Sequence, residues 1–137
     1  MVEIKLEYLG DLRVEAEHEP SGARLKSDAP LDNCGKGESF SPTDLLATAL
    51  GSCVMTIMAI SANKHDVDLA GAKVRVKKTM TADPHRRVGH LLVEISNLPT
   101  SVEPKRRKAL EAAGTACPVH HSLHPDTEME LVFHWNG

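Results

Sequence analysis

Three cysteines and a short histidine cluster carry the chemistry this chain could do. Cys34, Cys53 and Cys117 stand far apart in 137 residues, and no two form a Cys-x-x-Cys pair. Cysteines so few and so spaced do not make the disulfide framework of a small secreted domain. In a reducing compartment isolated cysteines are either inert packing or nucleophiles. Cys117 is followed by Pro118, which reads as the cap and first residue of a short helix. There the positive helix end favours thiolate. Cys53 lies at the centre of SPTDLLATALGSCVMTIMAISANKH, residues 41–65. A buried cysteine there is either a small core hydrophobe or, beside a positive group, a nucleophile. A second chemistry competes at Cys117, His120, His121 and His124. His120 and His124 share a helix face, and zinc takes Cys and His ligands in tetrahedral sets. Against a metal, no second ligand cluster of regular spacing follows.

The elements that must hold these residues are legible. Ser41 suits an N-cap, Pro42 the first helical position and Asp44 the acidic partner of a capping box. The helix that follows is apolar nearly all round, which marks a buried helix. Gly51 inside it implies close approach by another backbone. A domain of this size has difficulty burying such a helix alone, and pairing with a second copy about a two-fold axis solves this. Residues 2–8 and 12–18 alternate apolar and polar with period two, as a β-hairpin does. Arg13 projects from the second strand, opposite Leu12 and Val14. Residues 23–27 form a third strand, and 28–40 a long loop whose Gly35-Lys36-Gly37 is too short for a phosphate-binding loop. A second hairpin spans 71–81 and 87–97. A helix then runs from a Ser101 cap to a Gly114 stop, the short helix after Cys117 follows, and a last strand covers 127–134. The order predicts an α+β fold in one domain, 1–137, with antiparallel sheets around the long helix.

Composition narrows the function. The chain is 41% hydrophobic and 26% charged, as soluble globular proteins are. A net charge of −3 and 3% aromatic residues argue against a nucleic-acid binder, so the basic run Lys105-Arg106-Arg107-Lys108 reads as a solvated helix face. Uninterrupted apolar runs fall short of the ~20 residues of a membrane span. The N-terminus lacks the pattern of a signal peptide, which makes the cytoplasm the expected location.

FSPTDLLATALGSC, followed downstream by ACPVHHSL, resembles the OsmC/Ohr family of osmotically inducible and organic-hydroperoxide-resistance proteins, closest to its OsmC-like branch. The resemblance covers nearly the whole chain. It implies an intertwined homodimer with sheets wrapped around two central helices. It also implies a thiol-dependent peroxidase without metal, haem or flavin. On this resemblance Cys53 is the peroxidatic cysteine, Cys117 resolves it through an intramolecular disulfide, and an external dithiol, of dihydrolipoyl type in related proteins, reduces the pair. Arg13 matches the strand arginine that orients the peroxide, with Arg24 as the alternative. Thr43 stands where some members carry a glutamate that holds this arginine, leaving Asp44, Glu38 or neither to replace it. Cys34 stands where a glycine is expected and receives no role. Leu45, Leu50, Met55 and Met58 would line an apolar pocket suited to bulky organic peroxides. The competing reading keeps the fold and makes it a dimeric redox-sensing or hydrophobic-ligand-binding module without rapid turnover.

Overall fold

The structure is a computed structural model and describes residues 1–136. The chain divides into two compact units, Met1–Leu46 and Ala47–Gly137.

The first unit is built on the expected hairpin. Strands β1 (Ile4–Gly10), β2 (Arg13–His18) and β3 (Arg24–Asp28) form an antiparallel sheet in the order β1-β2-β3. The β1–β2 turn is tight enough to put Gly10, Asp11 and Leu12 all at positive φ, so Leu12 belongs to the turn and not to β2. Alternation places Ile4, Leu6 and Tyr8 at every second position of β1, yet they are 57%, 66% and 64% exposed. In these three strands only the last residue, Asp28, is fully buried.

Helix α1 (Pro42–Asn63) begins at the anticipated cap. The Ser41 N–H donates to Asp44 Oδ2 at 2.9 Å, and the Asp44 N–H donates to Ser41 Oγ at 3.1 Å. This reciprocal pair satisfies two of the donors that a helix start leaves open. By length and composition α1 could cross a membrane, with a mean hydropathy of 1.9 over its most apolar window. Its packing is that of a core helix. Ala47, Leu50, Gly51, Val54, Met58 and Ala62 form a buried stripe at helical spacing. Leu46 and Ile60, off that stripe, are 38% and 49% exposed. The helix is thus apolar all round but covered by its own chain on one face.

The second unit supplies that cover. Strands β4 (Lys73–Thr81), β5 (Arg87–Leu98) and β6 (Glu128–Trp135) form a sheet in the order β4-β5-β6. Val88, Leu91, Val93, Ile95 and Leu98 of β5 are all buried. Gly51 is required here, since a Cβ on it would lie 2.6 Å from Val76 Cγ2. What approaches Gly51 is therefore a pair of β4 valine side chains, Val74 and Val76, and not the backbone expected from the sequence. Helix α2 (Pro104–Thr115) is capped at Glu103, two residues later than Ser101, because Pro104 takes the first helical position. Gly114 does not stop it. This residue lies inside the helix against Met58 and Val54 of α1, where a Cβ would meet Met58 Cγ at 2.8 Å. The last strand ties α2 down, with Trp135 Nε1 donating to Glu111 Oε1 at 2.8 Å. Arg107, from the basic run, lies over the Trp135 ring and donates to the Val102 and Thr100 carbonyls.

One topological expectation fails. β6 pairs with β5 in parallel, His90 opposite Glu128 and Ile95 opposite Phe133, so the second sheet is mixed. The connection through α2 and α3 (Pro118–Ser122) returns the chain to the start of β5, and a helical crossover of that kind delivers a parallel strand.

Candidate active site

Cys53 and Cys117 meet. Cys53 sits one residue before the buried Val54 on α1 and is half-buried at the margin of the core. Cys117 caps α3 and is fully buried. Both are free thiols. Burial is the main influence on Cys117 and pushes its thiol above the ordinary range. The His120 N–H, donating to Cys117 Sγ at 3.2 Å, works the other way. A hydrogen bond with the Cys53 thiol and negative charge on that sulfur both raise it further, and the Val119 N–H lowers it less.

The helix end does supply its N–H, but desolvation and the neighbouring thiol outweigh it. The pair is asymmetric, with an enclosed Cys117, its thiol pushed up by burial, beside a more accessible Cys53. Two of the four expected lining residues, Leu50 and Met58, are fully buried in the core and offer no surface to a substrate, whereas Leu45 and Met55 are half-buried.

The histidines after Cys117 are engaged locally. The His120 ring bonds the Thr115 carbonyl at 3.1 Å and stacks on His121. His124 Nδ1 accepts the Asp126 N–H. Among the described residues no group of three or more His, Cys, Asp or Glu is arranged to hold a metal ion.

A second cluster forms within the first unit. Arg13 and Asp28 are cross-strand partners on β2 and β3. Arg13 Nη2 lies 2.8 Å from Glu38 Oε2 and 3.6 Å from Asp28 Oδ2, and the same Asp28 oxygen accepts the Glu38 N–H at 3.0 Å. The bond to Glu38 raises the Arg13 guanidinium further above its already high range, so its charge is permanent. Of the acidic residues weighed for this arginine, Glu38 pairs with it, and Asp44 is committed to the helix cap. Arg24 faces Glu15 and Glu17 across its own sheet. Thr43 Oγ1 lies 3.3 Å from Ser41 Oγ, inside the cap. Asp28 went unnoticed in the sequence, where it opens a loop-like run. Its signal was its place opposite Arg13, visible only once β2 and β3 are in register. Cys34 is exposed with φ of 69°, which explains why glycine suits that position.

The chain belongs to the OsmC family. Residues 35–132 match the family of OsmC-like proteins. A Psychrobacter arcticus protein, provisionally named as osmotic-stress-induced and detoxification-responsive, shares 43% identity over 98% of this chain and 96% of its own, with a TM-score of 0.90. An organic hydroperoxide resistance protein OsmC from Legionella pneumophila shares the fold at 19% identity, covering 98% of this chain and 96% of its own, with a TM-score of 0.74. One from Bacillus subtilis does so at 12% identity, covering 97% of each chain, with a TM-score of 0.67. The α+β architecture expected from the sequence is that of these relatives. No curated protein matches the chain at a significant level.

Proposed function

We propose that this protein is a thiol-dependent peroxidase that reduces organic hydroperoxides. What supports the reading most is the juxtaposition of two free thiols of unequal burial. Cys53 as thiolate attacks one oxygen of the O–O bond. An S–O bond forms, the O–O bond breaks, and the alkoxide leaves and takes a proton as an alcohol. Cysteine sulfur is oxidised to sulfenic acid and the peroxide is reduced. The Cys117 thiol then attacks that sulfur, water departs, and a Cys53–Cys117 disulfide forms. An external dithiol of dihydrolipoyl type exchanges with it, restoring both thiols and leaving as its own disulfide. A buried, protonated Cys117 fits the resolving role, because it does not compete for peroxide. Arg13 is the proposed cation of the reaction.

The same reading makes the working form a cytoplasmic homodimer. The exposed apolar residues Ile4, Leu6 and Tyr8 on β1, and Leu46 and Ile60 on α1, are surfaces a second copy would cover.

The test treats reduced protein with one equivalent of cumene hydroperoxide and maps its thiols by mass spectrometry. Wild type is expected to form the Cys53–Cys117 disulfide and to oxidise dihydrolipoamide catalytically. Cys117→Ser is expected to over-oxidise at Cys53, and Cys53→Ser to fall to background. A Cys53 thiol that survives excess peroxide rejects the reading in favour of a ligand-binding module.

A further inference from the structure

The Arg13 cluster contains an imbalance that the peroxidase reading does not account for. One guanidinium faces two carboxylates of opposite accessibility: the Asp28 side chain is 2% exposed and that of Glu38 is 60% exposed. The short bond goes to the exposed partner. The buried one is held at 3.6 Å, beyond hydrogen-bond reach. Two buried atoms are left without a hydrogen-bond partner among the described residues, Arg13 Nε and Asp28 Oδ1. One is a donor and the other an acceptor, on side chains already paired across β2 and β3. A side-on arrangement, with Nε–H and Nη2–H on the two Asp28 oxygens, would satisfy both at once. A buried carboxylate left partly unpaired is strongly disfavoured, whereas an exposed ion pair contributes little.

We propose that Asp28 is the positioning residue for Arg13, the fixed anchor of its guanidinium, and that Glu38 is a dispensable second partner. This rests on the peroxidase reading for its consequence but not for its geometry. Once seated side-on on Asp28, Arg13 can release Glu38 and turn its other Nη toward a peroxide oxygen without losing its own partner. Without Asp28 the arginine keeps its charge but not its place.

Two readouts test the proposal. Asp28→Asn retains an oxygen for the Glu38 N–H but removes the charge and turns the other oxygen into an NH2 donor that cannot accept from Arg13. It is expected to lower kcat/KM for cumene hydroperoxide about tenfold, and Glu38→Gln to stay within about twofold. Adding Asp28→Asn to Arg13→Ala is expected to cause no further loss, as for a residue that acts through the arginine. Asp28→Glu, which keeps the charge but advances it by one methylene, is expected to lower kcat/KM in the same direction. The second readout is independent of turnover. The Arg13 Nε–H resonance, assigned by its absence in Arg13→Lys, is expected to be dispersed in wild type and Glu38→Gln and to collapse to the solvent-exposed position in Asp28→Asn. Collapse in Glu38→Gln alone, or multiplicative losses in the double variant, would overturn the assignment. If wild type consumes no hydroperoxide while the resonances behave as stated, the peroxidase reading fails and the anchor stands.

Discussion

The two three-stranded sheets stand in opposite relation to water. In the second, β5 buries Val88, Leu91, Val93, Ile95 and Leu98, and α1 and α2 pack on one another through Gly114, Val54 and Met58. In the first, the apolar alternation of β1 is equally regular, yet Ile4, Leu6 and Tyr8 remain largely exposed. The same pattern thus yields a finished core in one region and an uncovered face in the other. Alternation reports which side of a strand is apolar and not what covers it. The charged chemistry follows the same division. The open region holds Arg13, Asp28 and Glu38, and the closed one holds the thiol pair.

The difference can be broken by substitution. The largest effect is expected from Leu91→Ala, which empties a fully buried site and should destabilise the fold by roughly 2–5 kcal/mol in denaturant titrations. Leu6→Ala, on the uncovered face, should cost within about 0.5 kcal/mol for an isolated chain. A cost approaching that of Leu91→Ala, and rising with protein concentration, would show that a second copy finishes the first sheet. Leu6→Asp should then shift the sedimentation profile toward a single chain.

The smallest effect concerns pH within the closed region. Alkylation of Cys117 by iodoacetamide in unfolding-free buffer should have its midpoint above the ordinary thiol range, since burial disfavours the thiolate. Replacing Cys53 by serine removes the charge on that neighbouring sulfur, so the midpoint should move down while staying raised by burial. An unmoved midpoint would deny the coupling of the two thiols. The sign for stability follows. The unfolded Cys117 ionises first as pH rises, so the reduced fold keeps its full contribution below the ordinary thiol range. It loses that contribution as pH climbs through the raised value.

Much of this organisation is local and therefore readable in the chain. The Ser41–Asp44 capping box, the period-two strands and the Cys117-Pro118 helix start are each written within a few neighbouring residues. The two motifs that point to the OsmC family contain Cys53 and Cys117. Other features escaped for one shared reason, namely that their partners are distant in sequence. Gly114 reads as a helix stop until Met58 is packed against it. Leu50 and Met58 read as pocket lining until the core closes over them. Asp28 reads as loop until strand register sets it opposite Arg13.

The amino-acid sequence by itself determined the elements, their order and the candidate nucleophile, because caps, turns and periodicity act over a few residues. Only the tertiary structure decided that β6 enters parallel to β5, that burial pushes the Cys117 thiol up beside Cys53, and that Arg13 is shared by Asp28 and Glu38. Strand direction depends on where a crossover lands, and protonation depends on how much water packing leaves beside a thiol. Both are properties of residues brought together from far apart in the chain.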